Sequence, residues 1–308
     1  MAMQTCVVYG RLFCTQARQA VSHILGQEAG PARVRLIAVC CGFSKDLNCP
    51  ARKFVFGDDA YFVADNRGSS VMGVADGVGG WHQYGIDSSK FASSLMEGCR
   101  KFAMDGGLNV DVQSPIAILK SAFQEMTELK ASVFGSSTAC IIVLDKNSKT
   151  LRSMNLGDSG FLIIRKGLIV HQSSDQQHYF NTPYQLAIPP PGHDGRVIQD
   201  SLDVAELTSF QVEVDDLIVM GTDGLFDNFP NDLILQEISL LENFEKESIQ
   251  SLADNLAMKA KCLAFDPSYD SPFAKQAKFQ GLQISGGKPD DITVLISVVT
   301  SDQSPTSE

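Results

Sequence analysis

The chain has 308 residues, with 25 Lys and Arg against 36 Asp and Glu, for a formal charge of −11, and 44% of it is hydrophobic. That composition supports a full-sized core and excludes a disordered chain. No run approaches the roughly 18 apolar residues of a membrane-spanning helix, and the acidic surplus excludes a protein that grips nucleic-acid phosphates through a basic face. A need for divalent cations stays open, because carboxylates are their usual ligands.

The N-terminus departs from this balance. In residues 1–35, Arg11, Arg18, Arg33 and Arg35 face one acid, Glu28. On a helical wheel Phe13, Ala17, Ala20, Val21 and Ile24 share a side while Arg11 and Arg18 sit elsewhere, as in a mitochondrial presequence. Residues 1–35 are therefore expected to address the chain to the mitochondrion, in its matrix; the plainer reading is an ordinary N-terminus on a cytoplasmic protein. The eight cysteines form no CxxC pair and read as reduced thiols inside a cell.

From Phe54 onward, short runs rich in Val and Ile alternate with turn signals: Tyr61–Ala64, Val71–Ala75, Thr138–Leu144, Leu151–Leu156, Phe161–Ile164, Leu168–His171, Ser209–Val214, Leu217–Gly221 and Ile292–Val299. These read as strands. Asp65–Gly68, Asp145–Ser148 and Lys166-Gly167 read as hairpin turns, which imply antiparallel pairing. Asp87 caps a helical pattern running to Phe102, and Ser114-Pro115 opens another over Ile116–Leu129. Asp232–Leu241 and Glu247–Ala264 form a later helical pair. The expectation is one α+β domain over residues 44–299, two packed antiparallel β-sheets flanked by helices, with a loose tail at 300–308.

The aspartates fall at strand ends. Asp58-Asp59 precedes a strand, Asp76-Gly77 follows one, Asp158-Ser159 lies between two, Asp223-Gly224 follows another, and Asp290-Asp291 precedes the last. Asp-Gly alone is an ordinary turn dipeptide. Five acidic strand ends together are better explained by convergence on hard cations such as Mg²⁺ or Mn²⁺.

Six segments occur in order: Gly57-Asp58-Asp59-Ala60, Asp76-Gly77-Val78-Gly79-Gly80, Gly135-Ser136-Ser137-Thr138-Ala139, Asn155-Leu156-Gly157-Asp158-Ser159, Thr222-Asp223-Gly224-Leu225-Phe226-Asp227 and Asp290-Asp291-Ile292-Thr293. In these the chain resembles the PPM family of metal-dependent type-2C serine/threonine protein phosphatases, over about residues 44–299. Asp76–Trp81 and Gln176–Pro183 are similar to segments of its mitochondrial subgroup linked to coenzyme Q biosynthesis. The resemblance implies the type-2C α-β-β-α sandwich and hydrolysis of phosphoserine and phosphothreonine by a hydroxide bridging two Mn²⁺ or Mg²⁺ ions. It implies that Asp76 bridges the ions, with the Gly77 carbonyl and Asp58 on one and Asp223 and Asp290 on the other. Asp59 would act through water, Asp158 with Asp223 would hold a third ion, and Gly135–Thr138 would serve as a structural strand entry. Implied partners are phosphoproteins, among them mitochondrial proteins of coenzyme Q synthesis.

Three positions differ from the family's usual residues. Asp58 stands for Glu; Phe54 stands for a phosphate-clamping Arg, leaving Arg52 or Lys53 as substitutes; Val78 stands for a His that serves as general acid. His178, in Gln176-Gln177-His178-Tyr179-Phe180-Asn181, is the first choice for that acid and His82 the second. Trp81 and Tyr84 are candidates for a peptide-binding wall. The competing class is a non-catalytic member of the fold that binds a phosphoprotein as a scaffold; the retained Asp76, Asp223 and Asp290 favour the enzyme.

Overall fold

A computed structural model describes residues 33–46, 52–105, 115–128, 133–193 and 195–302. In chain order the first half holds β1 (Val34–Phe43), β2 (Asp59–Asp65), β3 (Ser69–Asp76), α1 (Ser88–Met104), α2 (Pro115–Glu128), β4 (Gly135–Ser137), β5 (Ala139–Asp145) and β6 (Thr150–Leu156). The strands β7 (Gly160–Arg165), β8 (Leu168–Gln172), β9 (Gln177–Tyr179), β10 (Thr182–Pro183), β11 (Leu186–Ile188), β12 (Glu206–Gln211) and β13 (Leu217–Gly221) follow. The chain then runs through α3 (Asp223–Phe226), α4 (Asn231–Ser239), α5 (Lys246–Ala264), α6 (Pro272–Phe279) and β14 (Ile292–Ser301).

Two five-stranded antiparallel sheets form, in the orders β1-β14-β13-β7-β8 and β12-β6-β5-β3-β2. Because a strand's side chains alternate, each central strand feeds two cores. In β5, Ala139, Ile141 and Val143 face α1 and α2, while Cys140, Ile142 and Leu144 join the layer between the sheets. In β14, Ile292, Val294, Ile296 and Val298 face α5, and Leu295 and Val299 enter the inter-sheet layer. These strands therefore read as continuous apolar runs, the pattern of strands buried on both faces. Each fully buried Leu, Ile, Phe or Met contributes roughly 1.5–3 kcal/mol, and the inter-sheet layer holds Met72, Leu144, Leu151, Phe161, Ile163, Met220 and Leu295 among others.

The helices follow from spacing and caps. Asp87 accepts from the Ser89 backbone N–H and opens α1, whose Phe91, Leu95 and Cys99 recur every four residues on the buried face. α5 buries Ile249, Leu252, Ala253, Leu256, Ala257 and Ala260 against the other sheet. No helix among the described residues is long and apolar enough to cross a membrane.

Two boundaries differ from the sequence reading. β1 pairs with β14 residue for residue from Val34↔Ser301 to Phe43↔Ile292, so the domain starts by Val34, not at 44, and reaches Ser301. Val34 and Arg35 belong to this strand, not to a leader; exposed Arg35 had disguised it as basic N-terminal sequence. The rest of the proposed leader, residues 1–32, and tail residues 303–308 lie outside the described residues, as does Ser114. α6 was not expected; its signal was Ser271-Pro272, the same cap-and-proline opening seen before α2.

Candidate metal centre

Both sheets deliver acids to one end. Asp59 opens β2 and pairs in register with Asp76, which closes β3. Asp223 begins α3 directly after β13, and Gly221 in β13 pairs with both Gly160 of β7 and Val294 of β14. That pairing places Asp158, just before β7, and Asp290-Asp291, just before β14, beside Asp223. The result is one cluster: ligand oxygens of Asp76, Asp158 and Asp223 all lie within 4.8 Å of one another.

The backbone around Asp76 is fixed from β4 and the turn after it. The Asp76 N–H donates to Thr138 Oγ1 at 3.0 Å, the Thr138 N–H returns to the Asp76 carbonyl at 3.0 Å, and Thr138 Oγ1 also meets Ser159 Oγ at 2.8 Å. Gly77 donates its N–H to the Asp58 carbonyl at 3.1 Å. A Cβ on Gly77 would stand 2.6 Å from the Ser88 carbonyl oxygen and 2.7 Å from that of Asp58, so only glycine permits this approach. Segment 135–138 thus supports the centre as a short strand pairing with β11.

Asp59 ties the two sheets together. Its Oδ2 accepts from the Thr222 and Thr293 hydroxyls, at 2.7 Å each. Asp291, buried beside it, accepts from the Lys45 N–H at 2.8 Å and the Asp58 N–H at 2.9 Å. Gly57, at φ +60°, lets that carboxylate come close, since a Cβ there would overlap Asp291 Oδ1. Asp291 is therefore a splint for Asp58, and Asp290 is the member of the pair that reaches both the Lys45 and the Lys288 ammonium.

Two lysines that sequence reasoning passed over enter the cluster. Lys45 Nζ lies 3.3 Å from Asp58, 3.2 Å from Asp290 and 3.2 Å from Asp291. Lys288 Nζ pairs with Asp223, with Asp227 at 2.8 Å and with Asp290 at 3.4 Å, and stands over the Phe273 ring. Asn228 clamps the Lys288 backbone from both sides, accepting from its N–H and donating to its carbonyl. The available signal was position: Lys45 follows β1 by two residues and Lys288 precedes Asp290 by two.

The charges push against one another. Burial, with neighbouring carboxylates, raises Asp59, Asp76 and Asp158 well above the usual carboxylate range. Asp227 is pushed up to about 7, mainly by burial. Burial acts the same way on Asp223, but Lys288 overrides it and holds that carboxyl below its ordinary value. Burial would lower Lys45 and Lys288; the surrounding aspartates outweigh it and raise both.

The two candidate histidines are placed differently. His178 on β9 bonds Asp200 at 3.0 Å and packs on Tyr184 with ring centres 4.4 Å apart. Its neighbour Gln177 reaches Asp158 at 3.4 Å instead. His82 lies in the 3₁₀ turn Gly79–Tyr84, which curls its Nε2 to 2.9–3.0 Å from both Asp58 oxygens. Of the suggested phosphate clamps, Arg52 is exposed and Lys53 is bound to Asp254 of α5 at 2.5 Å. Trp81 is buried, with its indole N–H on Ser136 Oγ at 2.7 Å, while exposed Tyr84 stacks beside it.

The residues fit divalent cations. The donor set is all oxygen, and Asp59 Oδ1, Asp158 Oδ1 and Asp223 Oδ1 are buried without a hydrogen-bond partner among the described residues. An orphaned buried acceptor costs about 1–3 kcal/mol, more when charged; a hard cation or its water shell removes that cost.

A sandwich of two sheets with an all-oxygen acidic centre at their strand ends defines a metal-dependent hydrolase class. A family model described as Stage II sporulation protein E (SpoIIE) matches residues 66–270. The protein phosphatase PTC7 homolog of Homo sapiens is 51% identical over 266 residues, covering 86% of this chain and 87% of that one. Among solved structures, the photosystem II phosphatase PBCP superposes with a TM-score of 0.71 at 29% identity, covering 86% of this chain and 99% of that one. The catalytic domain of the serine/threonine phosphatase PstP, in complex with two manganese ions, shares the fold with a TM-score of 0.50 at 14% identity, over 87% of this chain and 100% of that one. The chain belongs to the PTC7 group of PP2C-type, metal-dependent protein serine/threonine phosphatases.

Proposed function

We propose that this phosphatase hydrolyses phosphoserine and phosphothreonine at the Asp76–Asp158–Asp223 cluster, with two Mn²⁺ or Mg²⁺ ions held by Asp58, Asp76, the Gly77 carbonyl, Asp223 and Asp290, and a third taken by Asp158 with Asp223. The observation that carries the reading is the approach of three carboxylates from three strand ends to within 4.8 Å, with buried oxygens left unpaired. Bound divalent cations supply a water ionised near neutral pH as nucleophile and offset the charge on the phosphoryl oxygens. The protein's part is to hold the carboxylates in place: Thr138 sets Asp76, Asp291 sets Asp58, and the Thr222–Asp59–Thr293 bonds keep the two sheets in register. His82, on Asp58, takes over from His178 the role of proton donor to the leaving serine or threonine oxygen.

The enzyme acts in the mitochondrial matrix in this reading, on phosphoproteins of coenzyme Q synthesis. Arg11 and Arg18 beside the apolar side Phe13, Ala17, Ala20, Val21 and Ile24, with Glu28 the one acid of residues 1–32, support the address, and the resemblance of Asp76–Trp81 and Gln176–Pro183 to the coenzyme-Q-linked subgroup supports the substrates.

The catalytic reading is tested by phosphopeptide hydrolysis with purified protein in Mn²⁺, in chelator, and with Asp76→Asn. Turnover is expected in Mn²⁺ alone, and the substitution is expected to lower kcat at least about 100-fold, the scale of losing a centre that positions and activates the nucleophile. Turnover that survives both chelator and Asp76→Asn sinks the mechanism.

A further inference from the structure

Beside the divalent cations, a phosphoryl group that arrives at this acidic centre is favoured by a cation from the protein, and the structure narrows the choice. Lys53 is committed to Asp254. Lys288 has only 14% of its side chain exposed, and three acids, the Asn228 clamp and the Phe273 ring hold it. Lys45 differs. Its backbone is anchored by the bond to Asp291, yet 39% of its side chain is open to solvent.

The space beside it is defined by a missing side chain. A Cβ placed on Gly79 would lie 3.7 Å from Asp58 Oδ2, 3.8 Å from Lys45 Nζ and 3.9 Å from His82 Cδ2. The bare face of Gly79 is therefore bordered by an ammonium, an imidazole and a carboxylate of the metal centre, each at the distance where an added methyl would touch it.

We propose that Lys45 binds the substrate phosphoryl group where its exposed ammonium borders the bare face of Gly79, beside Asp58 and His82. This rests on the catalytic reading above. An ammonium carries three donors on a flexible stem, suited to a phosphoryl group whose charge is about −1.5 to −2 at neutral pH. Carboxylates that share their charge with a divalent cation hold the ammonium less tightly, which frees its donors for the substrate.

The test uses the full chain in Mn²⁺ with Lys45→Met, Lys45→Arg and Gly79→Ala. Four quantities are measured: KM for a phosphopeptide, the inhibition constant of inorganic phosphate, Mn²⁺ affinity by calorimetry, and melting temperature. Lys45→Met is expected to raise both KM and the phosphate constant about tenfold, equivalent to about 1.4 kcal/mol. It should bind Mn²⁺ as tightly as wild type or more so, because a competing cation is gone. Lys45→Arg should restore most of the loss. The added methyl of Gly79→Ala meets its neighbours at ordinary contact distance, so that protein should melt normally while KM rises severalfold.

An unchanged KM and phosphate constant in Lys45→Met overturns the assignment. So does a parallel fall in Mn²⁺ affinity and melting temperature with the phosphate constant unmoved, which would make Lys45 a brace for the acids. Wild-type protein without Mn²⁺-dependent turnover would instead overturn the catalytic reading, so the two failures are distinguishable.

Discussion

Asp58 has two partners of different chemistry: the Lys45 ammonium and the His82 imidazole, which reach the same Oδ2 at 3.3 and 2.9 Å. An ammonium suits binding, whereas an imidazole is suited to passing a proton to a leaving group. His82→Ala is accordingly expected to lower kcat roughly 100-fold, within the usual range for removing a general acid, with KM little changed. His178→Ala is expected to keep wild-type kcat, because that ring is spent on Asp200 and Tyr184. Steady-state kinetics on a phosphopeptide checks both, and equal losses from the two substitutions would refute the assignment. The placement of His82 was not legible in the sequence, since His82 and Asp58 are 24 positions apart and only the 3₁₀ turn ending at left-handed Gly85 brings them together.

Among the elements, β1 matters most for how the chain is divided. Val39, Cys41 and Phe43 fill the core under α5, and all ten residues of β1 pair with β14. Any removable leader must therefore end before Val34. Deleting residues 1–32 is expected to leave the melting temperature unchanged, whereas deletion through Phe43 should abolish cooperative folding, because it leaves one hydrogen-bonding edge of β14 unpaired and opens that core. Fused to a reporter, residues 1–32 should direct it to mitochondria. A diffuse cytosolic signal refutes the address, and a folded protein lacking Val34–Phe43 refutes the boundary. The central strands β3, β5, β7, β13 and β14 were readable because burial on both faces gives continuous apolar runs between turn residues, whereas the two- and three-residue strands β9, β10 and β11 are too short to show a pattern. β1 was hidden by Arg35 at its start and by its adjoining a basic segment.

At the scale of the whole molecule, folding concentrates charge that the unfolded chain keeps apart. Asp59, Asp76, Asp158 and Asp227 all have raised proton affinity, Asp227 to about 7. Between the unfolded carboxylate value near 4 and these raised values, the folded chain binds more protons than the unfolded one, so rising pH removes stability. Asp223 acts oppositely, since its lowered value contributes stability above pH 4 that is lost in acid. Asp290 is raised as well, and the lowered acids are ionised in both states above pH 5, so chelated protein is expected to melt at progressively lower temperature from pH 5 to pH 8. Mn²⁺, which binds only the assembled site, should offset this by about 2.7 kcal/mol at 100 times its Kd. The gap between the Mn²⁺ and chelator melting curves should widen as pH rises; a constant or narrowing gap would refute this electrostatic account.

The sequence by itself determined the sandwich and the acids. Alternating strand and turn signals are local, and a carboxylate at a strand end is visible as a residue type in a place. Hence Asp58, Asp59, Asp76, Asp158, Asp223 and Asp290 could be named before any fold was seen. The tertiary structure alone decided what faces them. Lys45, His82 and Lys288 reach acids distant in sequence through antiparallel register and a single 3₁₀ turn, Lys45 meeting Asp291 across 246 positions, Lys288 meeting Asp223 across 65 and His82 meeting Asp58 across 24. Side-chain proximity over such distances is set by how the two sheets stack, which no local pattern encodes.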